Sequence, residues 1–468
     1  MISLILLSPV FICLILFLIK NRELNTILIN IYAIIHFICS ICLCIGYNPR
    51  DIEQKIFQVD DLNKIFLMVL SLVFLAFAIY NSGYMKENKN LTRKLRHYAY
   101  AVLFFVLSMT GAILSSNLGI AWVFIEATTL ASAYLIYFNK TKHSIEAAWK
   151  YVFICSIGIA LAFVGIILLT IATGDLNSLY FSDLYNNASN FDSFWLKLSF
   201  VFILFGIGTK MGLAPVHFWL PDAHAQSPSS ISALLSATLL NCAFLVILKV
   251  FKIMIIANCD GYARIMLFTM GFLSLFISAV FIYHINNYKR MLAYSSIENM
   301  GILVIGTALG GIGLFASIIH LIGHSFIKAS FFMTSGNILK IYGTKKIKSV
   351  KGILSKDKKT GWLWIASLVG ITAFPPSVLF ISEFFIVKAM LQKEYYFMSI
   401  VFLLLLTIVL FGLLRAVFNM TASDNNEYKK VKLPCSMYIP QIVLLALSFI
   451  MGIYLPYIDN IKKAVIGF

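Results

Sequence analysis

Long, nearly unbroken apolar runs leave this chain few ways to fold. Stretches such as ISLILLSPVFICLILFLI and YFMSIVFLLLLTIVLFGLL approach the ~20 residues a helix needs to cross a hydrocarbon core of about 30 Å. Fourteen such runs occur, over roughly 2–19, 27–46, 62–81, 98–114, 118–137, 149–173, 195–214, 229–252, 264–284, 291–309, 313–340, 361–391, 395–419 and 435–456. In lipid a segment must satisfy its own backbone polar groups, so each run is expected to be an α-helix. A spanning β-barrel would show strands of about ten residues with alternating polarity instead. Only 12% of the 468 residues are charged, where a soluble domain carries roughly 25%. The largest loops, near 47–61, 174–194, 341–360 and 420–434, are too short to fold alone. The expected fold is an all-α integral membrane protein of about fourteen transmembrane helices.

The net charge of +17 could point to nucleic acid, but the basic residues crowd short loops between apolar runs. One set of alternate loops holds Lys20 and Arg22; Lys86, Lys89, Arg93, Lys94 and Arg96; and Lys140 and Lys142. The same side continues with Lys289 and Arg290, the lysines from Lys345 to Lys359, and Lys429, Lys430 and Lys432. The opposite set offers little beyond Arg50, Lys55 and Lys393. The positive-inside rule then predicts a cytoplasmic-membrane protein with both termini outside, touching anionic lipid rather than nucleic acid. The first run lacks a basic leader and a small-residue cleavage site, so it reads as a retained helix. The eight cysteines lie mostly within apolar runs, and Cys39, Cys42 and Cys44 have no second pair at metal-ligand spacing. No haem or iron–sulfur motif appears, so no cofactor is expected in this chain.

Two runs carry helix breakers. In the seventh, Gly206, Gly208 and Gly212 surround Lys210, and Pro215 removes the helical partner of the Met211 carbonyl. In the twelfth, Pro375 and Pro376 do the same to Ile371 and Thr372, ahead of Glu383. Discontinuous helices 7 and 12 are therefore expected. Bare carbonyls at membrane depth are tolerated only against protein or water, and paired interruptions point to a transport site.

Ionisable residues inside the runs are the other signal, because each costs about 2.5–3.5 kcal/mol at a span centre. Glu126, Lys210, Glu298 and Glu383 all occupy such places. In the eleventh run His320, His324 and Lys328 recur every four residues. Four residues advance a helix by about 400° and about 6 Å, so the three share one stripe. Such a stripe suits a proton relay through intervening water, with histidine titrating nearest neutrality. A structural ion pair between Glu126 and Lys210 is the competing explanation, although buried pairs add little stability over apolar packing.

The stretch KMGLAPVHFWLPDAHAQSPSSISALLSATLLN (Lys210–Asn241) resembles the signature of the antiporter-like subunits of complex I. That superfamily includes the Mrp cation/proton antiporter subunits and the membrane arms of energy-converting nickel–iron hydrogenases. RMLAYSSIENMGIL (Arg290–Leu303) and HLIGHSFIKASFFMTSGNIL (His320–Leu339) extend the resemblance. It implies two inverted five-helix repeats, at 98–252 and 253–419, between N-terminal helices at 1–97 and a last helix at 420–468. Glu126 and Lys210 match the family's paired fifth- and seventh-helix residues, and His320, His324 and Lys328 its eleventh-helix relay. Glu383 matches the terminal group of helix 12, and Asp222 and His224 the turn between helices 7 and 8. Where many members have an eighth-helix lysine, this chain has Asn241, so the central link must be water, His224 or another group. Asn241 and Glu298 resemble the group-four hydrogenase branch related to formate hydrogenlyase. Given the short segment after the fourteenth run, a long lateral helix is not expected.

The resemblance implies that the chain conducts protons, powered by redox chemistry in partner chains. Nickel–iron, iron–sulfur or quinone centres are then expected in those partners, namely a peripheral redox arm and other membrane subunits. A sodium- or potassium-for-proton antiporter, a proton-flux component for inorganic-carbon uptake and a scaffolding component are the alternatives.

Overall fold

Polar caps cut the apolar runs into helices. In the computed structural model, which describes residues 1–19, 22–46, 56–85, 92–422 and 430–454, the N-terminal helices are α1 (Ile2–Leu18), α2 (Arg22–Cys44), α3 (Asp61–Tyr84) and α4 (Thr92–Leu114). Next come α5 (Leu118–Tyr137), α6 (Lys142–Ala172), α7 (Phe181–Asn187), α8 (Ser193–Met211), α9 (Trp219–Gln226), α10 (Ser229–Leu234) and α11 (Leu240–Ile256). Then follow α12 (Asp260–Ile282), α13 (Tyr288–Leu309), α14 (Ile312–Tyr342), α15 (Ile353–Lys356), α16 (Lys358–Ile371), α17 (Val378–Gln392), α18 (Tyr396–Thr421) and α19 (Ile439–Ile453). Asp60, Asn117, Asp192 and Asn287 cap α3, α5, α8 and α13 through side-chain oxygens that accept from first-turn N–H groups. Thr141 and Ser144 form a reciprocal capping box on α6. Of the loop charges, Lys20, Arg50, Lys55, Lys86, Lys89 and Lys429 lie outside the described residues, as do the side chains of Arg22, Arg93 and Lys94 and the segment after Tyr454.

The chain is a multi-pass membrane protein, all-α apart from isolated β-bridges among the described residues. Twelve described helical segments are long and apolar enough to cross a membrane. The runs at 2–19 and 361–391 fall instead on shorter pieces: α1 has 17 residues, and the α16–α17 pair has 14 and 15.

α13 and α14 form the centre, and α14 packs against α10, α13, α16, α17 and α19. Glycine lets neighbouring backbones close up. Gly158 and Gly206 do so between α6 and α8, and Gly271 and Gly301 between α12 and α13. A buried polar knot unites α2, α3 and α4: His36 Nδ1 lies 2.7 Å from Ser71 Oγ, and Nε2 lies 2.9 Å from Thr110 Oγ1. Lys249 ties α11 to the cap of α3, with Nζ 3.6 Å from Asp60 Oδ2 and 3.4 Å from Ser115 O. Neither His36 nor Lys249 stands out in the sequence.

Candidate functional site

The first helix break positions one buried polar cluster. α8 stops at Met211 because Gly212 turns left-handed (φ 78°), its N–H bonding back to Gly208 and Thr209 carbonyls. Trp219 Nε1 then donates to the Thr209 carbonyl at 2.8 Å. This leaves Lys210 in the last turn of α8, fully buried. Its Nζ donates to Tyr151 Oη at 2.7 Å and stands 4.7 Å from that ring's centre. Tyr151 Oη is 2.5 Å from Ser132 Oγ. One turn before Ser132, Thr129 Oγ1 donates to Glu126 Oε2 at 3.0 Å.

Glu126 and Lys210 form no direct ion pair within 4.0 Å among the described residues. The hydroxyls of Thr129, Ser132 and Tyr151 stand between them. Glu126 is only half-buried on α5. Tyr151 carried no signal in the sequence, being one tyrosine at the start of an apolar run.

The second break positions another. α16 stops at Ile371, and Ser377 Oγ donates to the Gly370 carbonyl at 2.8 Å before α17 begins. Pro375 and Pro376 lie within this turn, as Pro215 lies within the first. On α17, Glu383 is half-buried, while its neighbour Ser382 is enclosed. Ser382 Oγ lies 2.9 Å from His320 Nδ1, and His320 Nε2 lies 3.0 Å from Asn299 Oδ1 on α13. Glu298, next to Asn299, is 6% exposed.

Between these two breaks in the chain lies a stretch whose sequence reads as plain helix. Leu235–Leu239 form a π-helical turn joining α10 to α11, a distortion that often marks functional sites. Ser236 within it lies 2.8 Å from Ser296 of α13. Asn241, one turn later, donates from Nδ2 to Ser325 Oγ of α14 at 2.8 Å. Ser325 adjoins His324, which is fully buried with neither ring nitrogen bonded to protein. Lys328 is also fully buried, its Nζ donating to the Leu292 carbonyl at 2.7 Å. His224 on α9 is enclosed without a hydrogen-bond partner, stacked on Phe332 of α14 at 4.6 Å. Asp222 faces a charged cavity of about 270 Å³, with Lys150 and Arg290 each 3.3 Å away.

Chemically, titratable groups sit beside hydroxyls in two separate clusters, and a hydroxyl can accept one proton while donating another. Lys210, Tyr151, Ser132, Thr129 and Glu126 form one segment; His320, Ser382 and Asn299 form another. Among the described residues no cluster of three His, Cys, Asp or Glu could hold a metal ion.

Residues 115–410 match the family described as NADH:quinone oxidoreductase/Mrp antiporter, transmembrane region. Over 455 residues the chain is 31% identical to a hydrogenase-4 component F homolog of Methylacidiphilum infernorum, covering 94% of this chain and 93% of that one. It is 24% identical over 420 residues to one of the Na(+)/H(+) antiporter subunits of Bacillus subtilis, covering 88% and 84%. Its fold superimposes on a chain of the membrane-bound sulfane sulfur reductase, an archaeal respiratory membrane complex. The TM-score is 0.89 at 20% identity, covering 99% of this chain and 96% of that one.

Proposed function

This chain belongs to the NADH:quinone oxidoreductase/Mrp antiporter transmembrane family, and from that premise we propose that it conducts protons along its buried polar line as the antiporter-like subunit of a membrane-bound redox complex. One observation carries the reading. Lys210, His224, His320, His324 and Lys328 are all fully enclosed, in a bundle where two helices break after Met211 and Ile371. Stability gives little reason to keep so many titratable groups there.

In this reading Glu126 biases Lys210 through Tyr151 and the two α5 hydroxyls, and Lys210 takes up and releases the proton. His224 and the water around Asn241 carry it to Lys328, His324 and His320, with Glu298 as counter-charge. Glu383 exchanges it at the far flank. The breaks after Met211 and Ile371 support the division into two inverted repeats, at 98–252 and 253–419.

Glu126 and Glu383 are half-exposed at the bundle surface, the latter between exposed Phe380 and Phe384. A carboxylate exposed to lipid is costly, which supports neighbouring membrane subunits covering both. Nickel–iron, iron–sulfur or quinone centres belong to those partners and a peripheral arm. The spacing of the basic loops supports a cytoplasmic-membrane location with both termini outside.

The similarity to a sodium/proton antiporter component supports a second reading, sodium-for-proton exchange. Purified complex in liposomes separates the two. Proton conduction predicts a ΔpH that forms with the redox donor and is indifferent to sodium. A sodium gradient that builds ΔpH without any donor would establish exchange instead.

A further inference from the structure

Helix α9 ends against two lysines from distant parts of the chain. Lys289, in the first turn of α13, is fully buried and donates from Nζ to the Ser227 carbonyl at 2.6 Å. Lys345, in the loop after α14, is partly exposed and donates to the Ala225 carbonyl at 2.7 Å. These carbonyls are two residues apart at the negative end of α9, so the two ammonium groups are neighbours. The charge of Lys345 bears on Lys289. Arg290, beside Lys289 in sequence, turns away to Asp222 at 3.3 Å.

The residue before Ala225 is His224, with both ring nitrogens unbonded. The charges bearing on it are those of Lys289 and Lys328. Titratable groups therefore follow one another from a partly exposed loop to the α14 stripe, in the order Lys345, Lys289, His224, Lys328. Capping one short helix does not account for two adjacent lysines, since like charges brought together out of water oppose each other. Partial burial already pulls the Lys345 ammonium below the ordinary lysine value, which eases release of its proton.

We propose that Lys345 and Lys289 load protons from the lysine-rich end of the bundle onto His224, which passes them to Lys328. Each step moves one proton from an ammonium or imidazolium to the neutral amine or imidazole ahead of it, so charge is conserved. This rests on the conduction reading above and adds the route by which the line is filled.

Arginine tests it, because a guanidinium keeps the positive charge and the donor to the α9 carbonyl but does not deprotonate. The assembled complex carrying Lys289→Arg, and separately Lys345→Arg, is reconstituted in liposomes and its proton flux compared with wild type and Lys210→Met. The inference predicts about a 100-fold loss for Lys289→Arg and a clear loss for Lys345→Arg, a general acid–base step being worth about 100-fold or more. A capping role alone predicts wild-type flux from both arginine variants, and that result overturns the inference. If Lys289→Arg does not assemble, Lys345→Arg decides, because its side chain is partly exposed and tolerates the larger head group. Wild-type flux from the arginine variants beside a silent Lys210→Met removes this route and leaves the conduction reading standing. A wild-type complex that moves no protons overturns both.

Discussion

Lys210→Met is expected to lower proton flux by about 100-fold, the scale of a lost general acid–base group, in a complex that still assembles. Methionine fills a similar volume and carries no charge to bury. The variant strands no partner, because Tyr151 Oη keeps Ser132 Oγ at 2.5 Å after the ammonium is gone. The helix end does not depend on the side chain either, since Gly212 and Trp219 satisfy the carbonyls around the break. Structure and flux therefore separate at this position. Flux per assembled complex is the measurement, and an unchanged rate would take Lys210 off the path.

Gly206→Leu should have the opposite signature, with little assembled complex at all. A β-carbon at Gly206 would sit 2.5 Å from both Ala162 N and Gly158 O, which are backbone atoms of α6. No rotamer relieves a clash with backbone, so α6 and α8 must separate. Tyr151 on α6 then loses its register with Lys210 on α8. Overpacking typically costs about 1–3 kcal/mol and sometimes more, and here the larger cost applies. Gly261→Ala is the control, because a β-carbon there meets nothing within 4 Å. Assembled yield and melting temperature should fall sharply for the first and hold for the second.

Much of this was legible before any coordinates. Twelve of the span positions follow from the solvent, because an apolar run of that length has one place to go. The breaks at Pro215 and at Pro375 and Pro376 follow from missing N–H groups. The stripe of His320, His324 and Lys328 follows from helical geometry alone. Properties set by which helix faces which could not be read in the same way. The hydroxyls of Thr129, Ser132 and Tyr151 joining Glu126 to Lys210 depend on α5, α6 and α8 meeting at one level. The π-helical turn at Leu235–Leu239 has no proline or glycine to announce it. Lys289 looked like one more charge in a basic loop, yet it is wholly enclosed. The half-exposure of Glu126 and Glu383 belongs to the outline of the bundle, which no local pattern encodes.

His324 offers the most direct test of conduction through the interior, because structure gives it so little to do. It is fully buried and neither ring nitrogen meets a protein partner, so leucine in its place breaks no hydrogen bond and removes only the ability to carry a proton. Redox-driven proton flux of the assembled His324→Leu complex in liposomes is the measurement. The account predicts a fall of about 100-fold with assembly intact; flux equal to wild type would contradict it.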